Sequence, residues 1–207
     1  MRILGLDTTR KSAIIFIVDN DKDIVKILDE KEKQSENLMI NIDNLLKEND
    51  IDLKSIDSFA VIEGPGSFTG IRVGMATIKA MAFALAKPIV SFNVFDVVAG
   101  SIKKATLISE CTSTSFYYCN IENFKIKEAG VEEKSSISCF ENKIVLKEEH
   151  FSEEEAYKYN VLIKDNYLDL VFNKMRTAYK NKNFNSSPEP YYVQLSQAER
   201  NLEKKND

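Results

Sequence analysis

Four of the seven glycines in the sequence lie in one short stretch, residues 63–74, where close backbone approach is favoured. An apolar run of strand length precedes this stretch, and an apolar segment of about four helical turns follows it. The stretch is therefore predicted to turn a strand into a helix. Glycine suits such a corner because it accepts positive φ angles and lets other backbone segments come near.

The start of the predicted helix carries two hydroxyl groups, and either Ser67 or Thr69 could be its N-cap. Several backbone N–H groups of the turn would then remain available, and such a group of donors can bind an anion. A tight corner that binds nothing has the same sequence features, so both interpretations stay open. The residues of this glycine-rich turn are Gly64, Pro65, Gly66, Ser67, Thr69 and Gly70.

Two carboxylates end predicted strands, at the edge where open α/β sheets place their sites. Asp7 precedes two threonines in residues 7–9, at the position where actin-like ATPases meet phosphate and metal. Such turns favour glycine beside the hydroxyls, whereas Arg10 and Lys11 follow here. A local Asx turn explains Asp7 equally well. Glu63 could pair with Asp7, but one carboxylate pair without histidine does not define a metal or acid–base site.

Histidine and cysteine are too few for most metal or nucleophilic sites. His150 is the only histidine and stands among glutamates, which indicates a solvated loop. The three cysteines, Cys111, Cys119 and Cys139, form no CxxC pair and indicate reduced thiols in the cytoplasm. The net charge of −4 gives no global positive field for nucleic acid but allows a local basic patch. Asp7 interrupts the first apolar run and no other run approaches membrane-spanning length, so neither a signal peptide nor a membrane segment is predicted.

The elements that must position these residues follow one another in an informative order. The first half is predicted as three strands, a helix, and then two strand–helix pairs. This order indicates an α/β protein with a mixed sheet and parallel crossovers, the half-unit of a ribonuclease H-like or actin-like ATPase fold. The predicted strands are residues 2–6, 12–18, 24–28, 58–63 and 89–92, and the predicted helices are one capped by Ser35, one at 71–86 and one at 94–104.

The second half shows weaker patterns and repeats the first half poorly. Short strands are expected at residues 105–109, 115–121, 124–127, 136–140 and 143–146. Residues 153–182 have helical character interrupted by polar residues, with a short strand at 160–163. Residues 190–193 are expected to be extended, and the polar residues from 196 onward are expected to fray.

The helix predicted over residues 71–86 is apolar almost all round, which indicates burial on both sides. Its bulky face suits the sheet and consists of Ile71, Met75, Ile78, Ala82 and Leu85. The opposite face is small, so another helix can approach it closely. Either the first helix of the chain or a partner protein covers this face, and the sequence leaves both alternatives open. The candidate partner-binding residues are Ile40 of the first helix and Val73, Ala76, Thr77, Ala80, Phe83 and Ala84 of the second.

Four segments of the sequence resemble the signature of the bacterial TsaB (YeaZ) family. The longest is GPGSFTGIRVG at residues 64–74, followed by a Lys-Ala pair at 79–80. The others are residues 4–9, 34–38 and 190–193, of which the second departs from the family's His-Ser-Glu-x-Leu pattern by having Gln34 in place of histidine. The resemblance is close over residues 1 to about 100, and beyond them only the segment before the tail matches clearly.

The resemblance implies two tandem actin-like ATPase (ribonuclease H-like) subdomains, with mixed sheets flanked by helices and a reduced second subdomain. They are expected at residues 1–102 and 103–195, followed by a polar tail at 196–207. The resemblance also implies a non-catalytic subunit that binds the catalytic subunit TsaD and works with the ATPase TsaE to form N6-threonylcarbamoyladenosine at position 37 of transfer RNA. ATP and the metal, which TsaD holds with a pair of histidines, would belong to the partner subunits. Transfer RNA would be reached only through the complex.

Two further expectations concern assembly and a rival function. Without TsaD, the small helix face is expected to self-associate into a two-fold homodimer. The rival function is that of an autonomous actin-like phosphotransferase that binds ATP. Such an enzyme needs a glycine-rich phosphate turn near Thr8 and a second glycine motif in the C-terminal half, where residues 101–207 contain only Gly130. No catalytic, cofactor-binding or metal-binding residue is therefore assigned to this chain.

Overall fold

The computed structural model describes residues 1–20, 22–29, 34–146, 154, 162–164 and 167–193, with the backbone alone at 34–36 and 162–164. Contacts divide the chain into two compact units. Unit 1 is Met1–Val94 with Val171–Pro190, and unit 2 is Phe95–Leu170 with Tyr191–Asp207. The chain thus leaves unit 1 after Val94, earlier than the boundary placed at residue 102 by the sequence, and returns to it at Val171.

Unit 1 is built on a five-stranded mixed sheet. Its strands are β1 (Arg2–Asp7), β2 (Ile14–Asp19), β3 (Ile24–Ile27), β4 (Ser58–Ile62) and β5 (Ile89–Phe92), in the spatial order β3-β2-β1-β4-β5. The first three strands pair antiparallel as a meander, whereas β4 runs parallel to β1 and β5 runs parallel to β4. Parallel neighbours need a crossover connection, and helices provide it here.

Two helices cover one face of this sheet. They are α1 (Gln34–Glu48) and α2 (Phe68–Leu85), and their apolar side chains share one core cluster with residues of β1, β2 and β4. Ile15 and Ile17 of β2 belong to this cluster, so Phe16 between them points to the opposite face of the sheet. That face is buried too, since Phe16 is fully inaccessible to solvent.

The opposite face of the sheet is packed against α4 (Tyr167–Lys180), whose residues from Val171 onward belong to unit 1. The ring of Phe172 lies 5.5 Å from the ring of Phe16 between centroids. Arg176 donates to the backbone oxygen of Asp19 at 3.2 Å and forms an ion pair with Asp23, which precedes β3. Unit 1 is therefore a three-layered structure that takes its third layer from the C-terminal part of the chain.

Unit 2 contains a second five-stranded sheet with the same topology. Its strands are β6 (Lys104–Glu110), β7 (Ser115–Glu122), β8 (Lys125–Glu133), β9 (Lys143–Leu146) and β10 (Leu162–Lys164), in the order β10-β9-β6-β7-β8. Again three strands form an antiparallel meander, β9 runs parallel to β6, and β10 runs parallel to β9. The predicted fold class, with two tandem subdomains built on mixed sheets, is confirmed, although the sheet of the second has as many strands as that of the first.

Two predicted elements near the start of unit 2 exist, but their bounds are wrong. The helix predicted at 94–104 is the short α3 (Val94–Ala99), which ends before Gly100. Lys104 is instead the first residue of β6, where it pairs with Glu122 of β7. The strand predicted at 124–127 is β8, which starts one residue later and is much longer. Phe124 lies in the preceding turn with a φ of 61°.

The strand predicted at 136–140 is also wrong, because a 3-10 helix spans Lys134–Cys139. The hydroxyl of Ser136 donates to the backbone oxygen of Glu133 at 2.8 Å. Such local side-chain bonds to the backbone compete with strand pairing. The strand was predicted from the apolar residues of this segment, without regard to the hydrogen bonds that its serines can make.

The other described elements agree with their predictions to within a few residues. α1 begins at Gln34, before the predicted cap Ser35, and α2 begins at Phe68. The strand predicted at 160–163 is found as Leu162–Lys164, and residues 190–193 form no strand. His150, most of the predicted helical residues 153–166 and the tail from 194 lie outside the described residues.

Candidate functional site

The glycine-rich turn joins β4 to α2, as predicted, and its backbone requires glycine at two positions. Gly64 has a φ of 134° and Gly66 a φ of 154°, both in the region that other residues rarely adopt. The peptide bond between Gly64 and Pro65 is cis. The turn therefore has one defined conformation that the sequence of this stretch specifies.

The space around the turn is filled by the segment that follows β1. A Cβ atom on Gly66 would lie 2.1 Å from the backbone oxygen of Thr9, and one on Gly70 would lie 2.0 Å from that of Thr8. A Cβ atom on Gly74 would lie 2.1 Å from the side-chain oxygen of Thr8. These three glycines, one in the turn and two in α2, thus leave the space that Thr8 and Thr9 occupy.

The hydrogen bonds of the turn are made within the protein. Ser67 is the N-cap of α2, because its side-chain oxygen accepts from the backbone N–H of Gly70 at 3.1 Å. Thr69, the other candidate cap, lies inside the helix. The backbone N–H of Ser67 donates to the oxygen of Thr9 at 2.8 Å. A backbone carbonyl thus takes up one donor of the turn, the N–H of Ser67.

Asp7 is buried and bonded to its neighbours in sequence. One carboxylate oxygen accepts from the backbone N–H of Thr9 at 3.0 Å and from its hydroxyl at 2.6 Å. The other lies 3.3 Å from the Nε atom of Arg10, whose side chain is also buried. These contacts form the Asx turn that the sequence allowed, and the charge of Asp7 is balanced by a cation of the same turn.

Glu63 is bonded to a different part of unit 1. Its carboxylate accepts from the side-chain amide of Asn185 at 3.4 Å, and the same amide donates to the hydroxyl of Ser91 at 2.9 Å. Among the described residues, no group of three or more His, Cys, Asp or Glu side chains is placed to hold a metal ion. The described part of the chain thus offers carboxylates with structural partners rather than a metal-binding constellation.

The two faces of α2 differ in burial in the way that the sequence predicts. The buried residues are Gly70, Ile71, Gly74, Met75, Ile78, Met81 and Ala82. On the opposite side Ala76, Ala80 and Ala84 are exposed, and the ring of Phe83 is 90% exposed. Val73 and Thr77 are half-buried, because they lie at the border of the core.

Helix α1 is in contact with α2 and also exposes apolar side chains. Ile40 is 58% exposed, as expected for a candidate partner residue, and Met39 is 53% exposed. The exposed apolar residues of both helices, here named the helix surface, are Met39, Ile40, Ala76, Ala80, Phe83 and Ala84.

By length and composition alone, α2 is apolar enough to cross a membrane, with a mean hydropathy of 1.3 over 18 residues. Its contacts with β1, β4 and β5 place one side of it in the core of unit 1. The buried sheet-facing side contains most of its bulky residues, and the helix surface contains three alanines and Phe83. The helix therefore has the character of a core element with one open face.

Unit 2 contains one buried thiol, at Cys119. Burial, together with the nearby charge of Asp96, raises the pKa of Cys119 to about 12. Because the thiolate is the reactive form, this thiol is chemically inert in the folded protein. Cys139 is exposed and Cys111 is intermediate in exposure.

Two mixed sheets of one topology, the first of them covered by helices on both faces, are the arrangement of an actin-like ATPase fold. Solved structures agree: YeaZ from Pseudomonas aeruginosa superposes with a TM-score of 0.66 at 15% identity, covering 92% of this chain and 100% of that one. An uncharacterized protein with similarity to peptidase YeaZ, from the same organism, gives a TM-score of 0.68 at 14% identity, over 93% of this chain and 99% of that one. At these identities the likeness shows the fold.

The family model described as TsaD, tRNA N6-adenosine threonylcarbamoyltransferase, matches residues 29–189. The chain belongs to this family, and the TsaB (YeaZ) assignment made from its motifs is confirmed. The TsaB biosynthesis protein of Bacillus subtilis is 28% identical over 102 residues, covering 49% of this chain and 44% of that protein. The threonylcarbamoyltransferase of Brachyspira hyodysenteriae is 32% identical over 110 residues, covering 45% of this chain and 32% of the enzyme. The matches thus span less than half of either curated relative.

Proposed function

We propose that this chain is the non-catalytic subunit of the complex that makes N6-threonylcarbamoyladenosine at position 37 of transfer RNA. In this role it binds and supports the catalytic subunit TsaD, together with the ATPase TsaE. Family membership and the names of the TsaB relatives, which are called threonylcarbamoyladenosine biosynthesis proteins, support the pathway. The location that goes with this role is the cytoplasm, where transfer RNA is modified.

The single observation that carries the proposal is the helix surface. Exposed apolar side chains on two adjacent helices are typical of protein interfaces, and a ring that is 90% exposed is costly to leave in water. The alanines present little side chain, so that a partner helix can approach the backbone of α2 closely and exclude water. We propose TsaD as the occupant, and a second copy of this chain as the occupant when TsaD is absent.

The closed turn after β1 supports a role without catalysis. In the rival phosphotransferase, the segment at residues 7–9 would face a nucleotide phosphate, whereas here Thr8 and Thr9 lie against α2. The chain has a single histidine, so it cannot supply the histidine pair that the family resemblance implies for the catalytic subunit. Some relatives of this chain are named as the transferase itself, which makes the direct measurement of activity essential.

The test is reconstitution with the TsaD and TsaE proteins of the same organism. We expect this chain to co-purify with TsaD, and threonylcarbamoyladenosine to appear in transfer RNA only when the chain is present, as measured by nucleoside mass spectrometry. The isolated chain is expected neither to hydrolyse ATP nor to modify transfer RNA. Turnover by the isolated chain would overturn the non-catalytic assignment, and failure to associate with TsaD would overturn the subunit assignment.

A further inference from the structure

The hairpin between β7 and β8 in unit 2 ends in a turn with an unusual residue. Asn123 and Phe124 both have positive φ angles, 53° and 61°, as in a two-residue type I′ turn. The second position of such a turn favours glycine, and a bulky residue there is strained. Phe124 is nevertheless present and is 52% exposed. A strained, exposed aromatic residue at a loop tip indicates a function outside the fold itself.

Lysines surround this turn. The strand register places Lys104 opposite Glu122, and Glu122 opposite Lys125, so that the three side chains form a row across β6, β7 and β8. Lys103 lies beside the turn, because its backbone oxygen accepts from the N–H of Asn123 at 2.6 Å. The tip of the sheet therefore carries cations on neighbouring strands.

At this tip the lysines outnumber the carboxylates within the described part of the protein. Glu122 forms an ion pair with Lys127 at 3.5 Å. Lys103, Lys104 and Lys125 are exposed, and among the described residues none of these three has an ion-pair partner. A local excess of positive charge thus stands out on a chain whose net charge is −4.

The polar groups next to this row bond one another. The hydroxyl of Thr106 donates to the side-chain oxygen of Asn120 at 2.8 Å, and the amide of Asn120 donates to Glu128 at 3.3 Å. The hydroxyl of Tyr118 donates to the same carboxylate at 3.1 Å. Their hydrogen-bonding capacity is used inside the sheet, so the groups left for a ligand are the lysines and the ring at the tip.

We propose that this tip surface, Lys103, Lys104, Phe124 and Lys125, binds RNA. Lysines neutralise phosphates, and an exposed aromatic ring stacks on an unpaired base, which is the combination that single-stranded nucleic acid requires. The occupant is a single-stranded or loop segment of RNA. The proposal rests on the proposed function to the extent that a subunit of a transfer RNA-modifying complex is brought next to such a segment.

The small number of cations sets the strength of this contact. Binding that releases counterions from about three phosphates is weak and strongly salt-dependent, so that the isolated chain holds RNA poorly at physiological salt. Within a complex that already holds transfer RNA, the same contact adds to the affinity of the whole assembly. The tip surface thus explains how a protein with a negative net charge can contact RNA.

The main experiment measures the affinity of the reconstituted complex for transfer RNA between 50 and 200 mM KCl, conditions chosen because phosphate contacts respond strongly to salt over about this range. The variant Lys104→Glu/Lys125→Glu is expected to weaken binding by about tenfold or more and to reduce the slope of log Kd against log salt by roughly 1.5–2. The control Lys54→Glu/Lys180→Glu changes the net charge equally but alters exposed lysines of unit 1. It is expected to change affinity by less than about twofold. Equal behaviour of the two double variants would overturn the proposal.

Substitutions at the tip separate binding from stability. Phe124→Gly relieves the strained φ angle, so its melting temperature should equal or exceed that of the wild type while RNA affinity falls by about fivefold or more. Phe124→Trp retains a stacking surface and should retain the affinity. If Phe124→Gly binds RNA as the wild type does, the ring has no role in binding.

A second arm uses the full chain alone, and it decides the proposal even if the chain does not associate with TsaD. The chain is irradiated with a uridine oligonucleotide at 50 mM KCl, and the cross-linked peptides are mapped by mass spectrometry. We expect cross-links at Phe124 that are lost in Lys104→Glu/Lys125→Glu. If the chain cross-links to RNA at the tip but does not associate with TsaD, the RNA site is supported and the proposed function is contradicted. If the complex is active but no cross-link forms at the tip, the proposed function is supported and the RNA site is contradicted.

Discussion

The buried pair of Asp7 and Arg10 illustrates how a residue in a catalytic position can have a structural role. Asp7 ends β1, where related folds meet phosphate, yet its oxygens are bonded to Thr9 and Arg10. A charge in such a place is stable only while its partner remains. The contacts of Asp7 and Arg10 are therefore expected to contribute to the stability of unit 1.

Removing Asp7 should be far more costly than removing an exposed acid. Asp7→Ala leaves the charge of Arg10 without this partner and is expected to lower the free energy of unfolding by about 3–5 kcal/mol. The control Asp43→Ala breaks the exposed pair with Lys47 and should cost no more than about 0.5 kcal/mol. Denaturant unfolding of both variants measures the difference. Similar losses would show that the Asp7–Arg10 pair contributes little.

The glycines of the sequence can be sorted by what an added methyl group meets. Gly70→Ala places a Cβ atom 2.0 Å from the backbone oxygen of Thr8, and the overlap should cost about 1–3 kcal/mol of unfolding free energy. Gly100→Ala meets its nearest atom at 3.7 Å and serves as the control. Its stability should stay within about 0.5 kcal/mol of the wild type, or rise through reduced chain entropy. If thermal and denaturant melts show Gly100→Ala to be the less stable of the two variants, the close approach of Gly70 to Thr8 is excluded.

The three cysteines should react in the order of their exposure. Because the pKa of Cys119 is raised to about 12, its thiol remains protonated at pH 8 and should resist alkylation in the folded protein. Cys139 should react within minutes and serves as the internal control. Mass mapping after a brief iodoacetamide treatment measures both, and all three should react after unfolding. Rapid labelling of Cys119 in the native state would show that the sheet of unit 2 opens.

At the scale of the element, α2 performs two tasks with its two faces. Most of its bulky residues hold the sheet, and its alanines, together with Phe83, remain open on the helix surface. The sequence revealed this division because helical periodicity sorts large from small side chains, whatever covers them. Periodicity could not tell whether α1 would close over the small face, which depends on the tilt between two helices.

Ala80→Arg is expected to disrupt association without unfolding the protein. Ala80 is exposed, so the arginine is tolerated in the monomer, whereas in a close helix contact it buries an unpaired charge and should cost roughly 2–4 kcal/mol of association. Sedimentation of the chain alone and with TsaD measures the loss. Ala82→Arg is the matched control, since Ala82 is buried and the variant should fail to fold. A lower melting temperature for Ala80→Arg with pairing intact would place Ala80 in the core.

Elements with strong periodic patterns were predictable, and those set by local polar bonds were not. β5 was predicted with its observed bounds because Pro88 precedes a short apolar run and Asn93 follows it. The segment around Ser136 has strand-like apolar residues, but a serine-to-backbone bond turns it into a 3-10 helix. The turn at Phe124 escaped prediction because sequence rules assign glycine, not phenylalanine, to that backbone conformation.

At the scale of the whole molecule, the repeat of one topology in both units is the property least visible in the sequence. Each sheet places three antiparallel strands beside two parallel ones. The same hydrogen-bond pattern accepts very different side chains, so a shared topology leaves little trace in residue identities. Only the family resemblance carried that information. The glycine-rich turn, by contrast, could be predicted from the sequence, because only glycine fits where two backbone segments lie this close together.

The division into units predicts the behaviour of fragments. A fragment of residues 1–102 contains the whole first sheet but lacks Phe172 and Arg176, which pack on its second face. It is expected to lack a cooperative thermal transition and to aggregate, because a buried apolar face becomes exposed. Fusing residues 171–190 to it through a flexible linker should restore a cooperative melt, as monitored by circular dichroism. Independent folding of residues 1–102 alone would show that α4 is dispensable for unit 1.

Because α4 supplies that third layer, the ribosome produces the first sheet long before the helix that covers it. At about 5–20 residues per second, the intervening residues 95–170 take roughly 4–15 s to be synthesised. During those seconds the face around Phe16 is open to chaperones and to other nascent chains. The first sheet is therefore made early but covered only near the end of synthesis, and we expect its yield in the cell to depend on the pace of translation.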